Sequence, residues 1–599
     1  MKPKHLSIVL PLLLTGSLLA GCAGTTAAGT TATDEAAATT ATSVDADATQ
    51  TAAEVLAANG DTSGTSAAGT WSDADVTAIT LAGDSATSTG TGADAVGVDS
   101  GTVTITAAGT YRLSGTLDDG QILVDSAGDG LVRLILDGVD VSNSASAAVA
   151  VTAADAVVVV LADGSENTLS DTDSYADTDD ANAALYSAAD LTITGSGALT
   201  VHGNANDGIT GKDGVLIDSG TVTVDAVDDG IRGKDYLRID GGTVTVDAGG
   251  DALTSDNEDD ASLGFVSVAG GDLNLTASGD GVAAQTDVVV TGGTLAVTAG
   301  GGHTATVDAD ASAKGVKGGV IVVLEGGEVT VDAADDAVHA SGGVHLGGGT
   351  LTLASGDDAV HADSELYIDG GTVTVTASYE GLESANITIA DGDVTVNASD
   401  DGVNAAGGTT TSTDATGEAG ADAAGGQAGP GGGGGGAGGD VGDFSLIVTG
   451  GSVVINADGD GFDSNGTASI SGGTVVVNGP TNSGNGALDV NGTFLVSGGV
   501  LLASGSAGMA VSPDAASEQG WISATLTGEH PAGSVVQILA ADGSEVASFT
   551  AGKTFGSVVY SSSAIVSGES YTVSIDATVD STVVAGVEAA GGMGGGGPR

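Results

Sequence analysis

The chain has 599 residues, of which 79 are acidic and 12 are basic, and its formal net charge is −67. This charge excludes the basic face that nucleic-acid binding requires, so we expect no nucleic-acid partner. Glycine occupies 103 positions and aromatic residues make up only 3% of the chain. Such a composition is unusual for one compact globule and typical of a thin, repetitive core.

The N-terminus has the features of an export signal. Lys2 and Lys4 precede the apolar run "LSIVLPLLLTGSLLA", which is too short and wrongly flanked for a membrane span. The following "LAGC" resembles a bacterial lipobox, which predicts a lipoprotein signal peptide over 1–21 and lipidation of Cys22. The alternative is an ordinary signal peptide followed by a chance cysteine. We therefore expect an exported protein, lipid-anchored on the extracellular face of the cell membrane.

Low-complexity segments flank and interrupt the rest of the chain. Residues 22–70 are rich in Ala, Thr, Ser, Gly and Asp, which predicts a disordered tether. The stretch "GGQAGPGGGGGGAGG" at 425–439 predicts a glycine-rich loop over 407–440, and 586–599 reads as a glycine-rich tail.

Between these segments the chain repeats. "DDAVHA" occurs at 335–340 and again at 357–362. The repeats align on the apolar residue that closes each acidic turn, mostly at a spacing of 22: Ile209, Ile231, Leu253, Val282, Val316, Val338, Val360, Leu382, Val403 and Phe462. A regular period of this length indicates a solenoid.

Each repeat also contains short strands. "GGTVTVDA" at 241–248 and "GGTVTVTA" at 370–377 alternate apolar and polar residues at period two, a shorter strand precedes each glycine pair, and a third follows each acidic turn. Three strands in about 22 residues predict an all-β, single-stranded parallel β-helix over 201–510. Residues 71–200 form an N-terminal β region with the first coils, and 511–585 predict a small antiparallel cap.

Acidic residues recur at one place in every turn. The residue two positions before the aligned apolar residue is a carboxylate in nine of ten repeats, with Lys314 as the exception. Stacked coils would bring these carboxylates to about 5 Å, where they repel by roughly 1 kcal/mol per pair in water. Calcium bridges oxygens at that spacing, and its predicted ligands are Asp228, Asp229, Asp335, Asp336, Asp357, Asp358, Asp400 and Asp401. The alternative, favoured where a turn has one acid, is that each Asp accepts N–H bonds of its own turn while facing solvent.

The motifs along this stretch resemble one bacterial family. "NANDGITGKDG", "DDGIRGKDYLRIDGGTVTV", "DDAVHASGG", "SYEGLESANITI", "ASDDGVNAAGG" and, further out, "GTYRLSGTLDDGQILVDS", "ENTLSDTDSY" and "GKTFGSVVYSSS" are similar to the carbohydrate-binding domain family of calcium-binding parallel β-helices, over about residues 72–590. The resemblance implies a right-handed β-helix with a fold similar to pectate lyases. It also implies a surface lipoprotein that binds cellulose-like and acid-sugar polymers such as polygalacturonate, with bound calcium.

Scarce cations and one tyrosine are the candidates for sugar contact. Lys212 and Lys234 hold equivalent places in "GKDG" and "GKDY", with Arg232 close by, and could hold uronate carboxylates. The alternative, slightly favoured, is that they neutralise nearby Asp side chains. Tyr379 takes an Asp position on the outer face, where it could stack on a sugar ring, whereas Tyr236 and Tyr367 lie in strands and could belong to the core or the wall.

His339 and His361 occupy one column. Side chains of a strand alternate between inside and outside, so these two histidines are expected to face solvent as a pair. The alternative is that they bind a transition-metal ion.

We therefore expect a monomeric, non-enzymatic carbohydrate-binding protein. Two alternatives stay open. One is a pectate-type lyase that uses Arg232, Lys234 or Lys212 beside Asp228 and Asp229. The other is a structural adhesin or spacer at the cell surface.

Overall fold

Short strands joined by tight turns make up most of the chain. The computed structural model describes residues 46–60, 62, 71–128, 130–176, 180–308, 311–407 and 441–589. The predicted signal peptide, the lipidation site Cys22, the stretch 425–439 and the residues after 589 lie outside the described residues. None of the helices formed by the described residues has the length and apolar content that crossing a bilayer requires.

The described residues form fifty strands, numbered here in chain order. The opening strands are β1 (Val76–Gly83), β2 (Ser85–Thr89), β3 (Val96–Asp99), β4 (Thr102–Ile105), β5 (Gly109–Leu117), β6 (Gln121–Asp125), β7 (Leu131–Ser142), β8 (Val149–Ala153), β9 (Ala156–Leu161) and β10 (Glu166–Ser170). The repeats before the glycine-rich stretch form β11 (Ala183–Ser187), β12 (Leu191–Gly195), β13 (Ala198–Gly203), β14 (Asp207–Gly211), β15 (Gly214–Ile217), β16 (Thr221–Ala226), β17 (Ile231–Gly233), β18 (Tyr236–Ile239), β19 (Thr243–Ala248), β20 (Leu253–Ser255), β21 (Phe265–Val268), β22 (Asp272–Ala277), β23 (Val282–Ala284), β24 (Asp287–Val290), β25 (Thr294–Ala299), β26 (Val316–Gly318), β27 (Ile321–Leu324), β28 (Glu328–Ala333), β29 (Val338–Ala340), β30 (Gly343–Leu346), β31 (Thr350–Ser355), β32 (Val360–Ile368), β33 (Thr372–Ala377), β34 (Leu382–Ile389), β35 (Asp393–Ala398) and β36 (Val403–Ala405).

The remaining strands follow the glycine-rich stretch. The last repeats form β37 (Ser445–Val448), β38 (Ser452–Ala457), β39 (Phe462–Ser464), β40 (Thr467–Ile470), β41 (Thr474–Asn478), β42 (Leu488–Val490), β43 (Phe494–Val496) and β44 (Val500–Gly505). The C-terminal region forms β45 (Trp521–His530), β46 (Val535–Ala540), β47 (Glu545–Thr550), β48 (Phe555–Ser561), β49 (Ser570–Ile575) and β50 (Thr578–Val584). The helices are α1 (Ala52–Ala58) and two single 3-10 turns, Asp73–Asp75 and Ala93–Ala95.

From β11 to β44 the strands stack in three parallel ladders. Ladder 1 joins β11, β14, β17, β20, β23, β26, β29, β32, β34, β36, β39 and β42. Ladder 2 joins β12, β15, β18, β21, β24, β27, β30, β32, β34, β37, β40 and β43, so the long strands β32 and β34 serve both ladders. Ladder 3 joins β13, β16, β19, β22, β25, β28, β31, β33, β35, β38, β41 and β44. A coil is one passage through ladders 1, 2 and 3.

Ladder 1 tests the alignment of the repeats. Val316 pairs with Val338, Val338 pairs with Val360, and all three side chains are fully buried. The register also holds across the glycine-rich stretch, where Val403 pairs with Phe462. The predicted all-β class, parallel stacking and inward apolar column are therefore confirmed. The right-handed winding and a general coil length of 22 residues stay predictions.

Ladder 3 shows why these sequences form strands. In β19, Val244 and Val246 are buried while Thr243 and Asp247 are exposed, as period-two alternation predicts. The second glycine of the preceding pair, Gly242, has a φ of +90°, a conformation that residues with a Cβ rarely adopt. The apolar side chains of the three ladders meet in one continuous core.

The last strands are antiparallel, as the sequence predicts. β48 pairs antiparallel with both β45 and β44. Strands β47, β46, β49 and β50 form a second antiparallel sheet in that order. Because β48 hydrogen-bonds to β44, the last strand of ladder 3 has both of its edges paired.

Residues 46–60 differ from the predicted disordered tether. They contain α1, which begins with a capping box in which the side chains of Thr51 and Glu54 bond to each other's backbone N–H. Ala52 and Val55 are buried against valine and isoleucine side chains of β24 and β27. The tether prediction is wrong for this stretch, because a short apolar face with a sheet surface to cover outweighs a polar composition.

Candidate functional site

The carboxylates of the acidic turns connect neighbouring coils. The Asp251 N–H donates to Asp229 Oδ1 at 2.9 Å, and the Asp280 N–H donates to Asp251 Oδ1 at 2.7 Å. The Asp358 N–H donates to Asp336 Oδ1 at 3.1 Å in the same way. These acids therefore accept turn N–H bonds, as the alternative to calcium proposed, but the bonds run from one coil to the next.

Burial makes ionisation of these carboxylates unfavourable. Burial, together with repulsion from Asp280, raises the pKa of Asp251 to about 7. Burial and repulsion from Asp460 also raise the pKa of Asp401 to about 7, although that carboxylate accepts a backbone hydrogen bond. At neutral pH such groups keep part of their protons unless a cation lies beside them.

The two copies of "DDAVHA" build one group of acids and cations, named here the middle cluster: Lys314, Asp335, Asp336, His339, Asp358, His361 and Glu383. Lys314 Nζ lies 2.6 Å from Asp336 Oδ2 and 3.1 Å from Asp335 Oδ2, and His339 Nδ1 lies 2.9 Å from Asp336 Oδ2. Burial opposes ionisation of Asp336, but the hydrogen bond from His339 and the charge of Lys314 outweigh it and hold the pKa of that carboxyl well below its usual range. Lys314 thus places a positive charge beside Asp335 and Asp336, and calcium at these two acids stays a prediction.

The second copy surrounds His361 with carboxylates. His361 Nδ1 lies 2.8 Å from Asp358 Oδ2 and 3.4 Å from Glu383 Oε2, and its Nε2 lies 3.3 Å from Asp363 Oδ1. The ring stacks on His339 with centroids 5.1 Å apart. Only 17% of the His339 side chain and 23% of the His361 side chain are exposed. The histidines do not stand free in solvent, because carboxylates of the same and the next coil close around them.

The following coils carry acids without such partners, named here the late cluster: Glu380, Asp401, Asp460, Asp463 and Asp489. Burial and repulsion from neighbouring acids raise the pKa of Glu380 and of Asp463 to about 8. Within the described residues, no Lys, Arg or His forms an ion pair with a member of this cluster. The late cluster is therefore a group of buried acids without a cationic side chain beside them among the described residues.

Two further features of the late cluster concern oxygen atoms. Asn404 Nδ2 donates to Glu380 Oε2 at 3.0 Å, while its Oδ1 is buried without a hydrogen-bond partner among the described residues. A Cβ at Gly459 would collide with carboxylate oxygens of both Asp400 and Asp401, so these oxygens converge over a glycine backbone. An all-oxygen donor set of this kind suits calcium better than softer metals.

The predicted uronate-binding cations mostly face acids of the protein. Arg232 hydrogen-bonds to Asp256 and lies 3.7 Å from Asp207, and Lys234 Nζ lies 3.6 Å from Asp259. Arg232 and Lys234 thus neutralise nearby Asp side chains, as the alternative to uronate binding predicted. Lys212 makes no ion pair with any residue that the structure describes.

Tyr379 is the only Phe, Tyr or Trp with an exposed side chain among the described residues, at 48%. Its hydroxyl hydrogen-bonds to Asp400, and this bond raises the pKa of Tyr379. Tyr236 is buried and stacks on Phe265, and Tyr367 is half-buried. The structure thus places the three tyrosines as the repeat alignment ranked them.

One column of the site was largely missed from the sequence. The position directly after the aligned apolar residue holds Arg232, Lys317, His339, His361, Glu383, Asn404, Asp463 and Asp489. It faces the acidic column, as Lys317 shows with its Nζ 2.9 Å from Asp280 Oδ2. The alignment already contained this column, but outward polar residues in strands are common and carry little signal alone.

Comparison with known proteins gives the chain a family. A family model described as carbohydrate-binding domain-containing protein matches residues 99–359 and 344–486, together more than half of the chain. A carbohydrate-binding domain-containing protein of Acetivibrio thermocellus is 41% identical over 120 residues, which are 19% of this chain and 42% of that relative. The match thus spans less than half of the relative's length.

This chain is also similar to a protein of solved structure. The gadolinium derivative of a polysaccharide lyase-like protein from C. thermocellum is 27% identical, and the match covers 49% of this chain and 96% of that one with a TM-score of 0.35. At that TM-score the likeness does not establish a common fold. By the extent of the family match, this chain belongs to the carbohydrate-binding domain-containing protein family.

Proposed function

We propose that the chain binds polysaccharide outside the cell and does not cleave it. Family membership supports carbohydrate as the ligand. A cellulose-like polymer and an acid-sugar polymer such as polygalacturonate are the two classes proposed. Export and a lipid anchor at Cys22 are part of the proposal and rest on the N-terminal sequence.

Tyr379 is the observation that supports this function best. Its N–H donates to the Asp357 carbonyl of the preceding coil and its carbonyl accepts the Asp400 N–H of the next, so it takes the place that Asp357 and Asp400 hold in the neighbouring coils. An exposed aromatic face offers apolar contact to a sugar ring, and the neighbouring carboxylates accept hydrogen bonds from sugar hydroxyls. The ring and the acids together form a surface suited to one sugar unit of a longer polymer.

Calcium belongs to the proposal for acid-sugar polymers. A chain with a formal charge of −67 repels an anionic polymer over about 8 Å at physiological salt. Asp400 and Asp401 would hold the ion, because their oxygens converge over the backbone of Gly459. Bound calcium would offer remaining coordination positions to a uronate carboxylate. Asp228 and Asp229 converge over Gly250 in the same way and form a second proposed place.

The test measures binding of the purified chain to polygalacturonate and to cellulose, with calcium chloride or with EDTA. Tyr379→Ala should weaken binding to both polymers about tenfold, because a stacking face is lost. Tyr379→Phe should retain most of the affinity. Tyr367→Ala is the matched control, since that tyrosine lies in the second half of β32, on ladder 2.

Three results would contradict the proposal. Equal binding by wild type and Tyr379→Ala would remove the assigned surface. Unsaturated products absorbing in the ultraviolet would favour the lyase alternative. Absence of binding to any glycan, with or without calcium, would favour the spacer alternative.

A further inference from the structure

We infer that Asp358, His361 and Glu383 form a binding site for a transition-metal ion of the Zn²⁺ class. This site is separate from the proposed calcium sites and does not depend on carbohydrate binding. It gives the repeated "DDAVHA" a role that the acid columns elsewhere do not have, because among the described residues the groups that combine a histidine with acids at ligand spacing all lie in the middle cluster.

The three ligand atoms already converge. One ligand atom from each residue lies within 4.8 Å of the other two. His361 Nδ1 stands 2.8 Å from Asp358 Oδ2 and 3.4 Å from Glu383 Oε2. Ligand atoms around a tetrahedral zinc ion, at bond lengths of 2.0–2.2 Å, stand about 3.3–3.6 Å apart. Small side-chain movements therefore convert the hydrogen-bonded arrangement into a coordination shell.

A second observation comes from the other ring nitrogen. His361 Nε2 lies 3.3 Å from Asp363 Oδ1. A histidine that ligates a metal through one nitrogen usually donates the other N–H to a carboxylate, which fixes the tautomer and the orientation of the ring. Asp363 is placed to do this, so Nδ1 is the nitrogen left for the ion. The stacked ring of His339 packs against the same imidazole.

The charge balance also favours a divalent ion. The site offers two carboxyl groups and one imidazole, whose Nδ1 lies 2.8 Å from Asp358 Oδ2. As carboxylates and a neutral imidazole these ligands carry two negative charges, which balance one M²⁺ ion, and any proton that the ion displaces leaves to solvent. No oxidant or other reactant is needed.

The kind of ligand atom distinguishes this site from a calcium site. Imidazole nitrogen is a good ligand for zinc, copper and nickel, whereas calcium takes oxygen ligands. Lys314 forms ion pairs with Asp335 and Asp336 of the preceding coil. Its ammonium group would therefore compete with a metal ion at those two acids, but not at Asp358. Three protein ligands leave one position for a water or another oxygen ligand.

The experiment titrates the EDTA-treated, dialysed full chain with zinc chloride by calorimetry, in the presence of millimolar calcium chloride. We expect one zinc site, with proton release seen as a dependence of the heat on the ionisation enthalpy of the buffer. His361→Gln should weaken zinc binding at least a hundredfold. Asp363→Asn should weaken it about tenfold, as expected for a residue that positions a ligand.

Cobalt chloride gives a second readout that reports the ligand set. The visible absorption of a Co²⁺ complex with one nitrogen and two oxygen ligands should appear with wild type and disappear with His361→Gln. His303→Gln is the matched control, because His303 also bonds to a carboxylate, Asp332, at 2.8 Å. Circular dichroism melts establish that each variant is folded.

Two outcomes would overturn the inference. One is zinc affinity that is the same in wild type, His361→Gln and His303→Gln. The other is failure of folded wild type to bind zinc or cobalt at micromolar concentration. Neither result would affect the test with Tyr379, which concerns carbohydrate.

Discussion

The middle cluster and the late cluster stand on the same ladder with the same placement of acids, yet their charge is balanced differently. Three residues after its acid, the middle cluster has His339 or His361, whereas the late cluster has Asn404 or Asp463. The first arrangement places imidazole nitrogens beside the acids, and the second places an amide or a further carboxylate there. The repeat therefore fixes where the acids lie, and the position three residues after each acid varies the chemical group beside it.

The largest effect should come from removing Lys314, which gives the middle cluster part of its internal charge. The Lys314 side chain is 16% exposed and that of Asp336 is 5% exposed. Lys314→Met should lower the free energy of unfolding by about 3 kcal/mol, because buried carboxylates lose their partner. Urea unfolding measures the loss, and added calcium should recover part of it.

Lys317→Met is the control for that experiment. Lys317 pairs with Asp280 but is 37% exposed, so its loss should be smaller and insensitive to calcium. Equal losses in the two variants would show that burial of the pair is not what distinguishes the middle cluster.

The next effect is that of calcium on the late cluster. Calcium at a hundredfold excess over its Kd should raise the free energy of unfolding by about 2.7 kcal/mol, since it binds only the folded chain. The double variant Asp400→Asn with Asp401→Asn should lose much of this response in thermal melts with EDTA and calcium chloride, and the part that remains should come from Asp228 and Asp229.

Asp225→Asn with Asp247→Asn is the matched double control, because these exposed acids also pair in register, on ladder 3. It should respond to calcium as wild type does. A melting temperature of wild type that EDTA and calcium leave unchanged would contradict calcium binding.

A pH titration of stability should separate the clusters further. The pKa of Glu380 and that of Asp463 are about 8 in the folded chain, and near 4 when unfolded. Between these values the folded state binds more protons, so without metal the free energy of unfolding should fall as pH rises from 5 to 8. Calcium should remove this decline.

Glu380→Gln tests the assignment. Its metal-free stability should depend less on pH than that of wild type over the same range, as measured by urea unfolding. A decline of unchanged slope would place the responsible protons outside the late cluster.

The smallest effect concerns the cations of the earlier coils. Replacing Lys212, Arg232 and Lys234 by Ala should weaken polygalacturonate binding more than cellulose binding. Among single variants, Lys212→Ala should account for most of it, about threefold, because Lys234 is already paired with Asp259. Equal losses for the two polymers would exclude a contact with uronate carboxylates.

Much of the fold could be predicted because the repeat is a period-two pattern with glycine at fixed turns. The ten aligned apolar residues all pair in one ladder, and even the join from Val403 to Phe462 keeps the register. Helix α1 was not predicted, because Ala52 and Val55 form an apolar face only in combination with a surface contributed by strands more than two hundred residues away.

The site was predicted less completely than the fold. Acid positions follow from the repeat, but the partner of each acid depends on side-chain reach across coils. Lys314 was seen as an interruption of the acidic column, whereas its ammonium reaches Asp335 and Asp336 in the next coil. Asp463 was overlooked because a single outward Asp on a strand gives no sign that four other carboxylates lie close to it.

The longer connections of the stack leave the ladders undisturbed. They comprise residues 256–264, 300–315, 406–444 and 479–487, and the strands on either side pair in register, as Leu253 does with Val282. The first and the third lie at the same corner, between ladder 1 and ladder 2. Extra residues at this corner therefore do not disturb the packing of the core. Insertions at this corner are thus a way in which such a protein could gain new segments during evolution. A fluorescent protein or an affinity tag placed between residues 407 and 441 should be carried there with the stack intact.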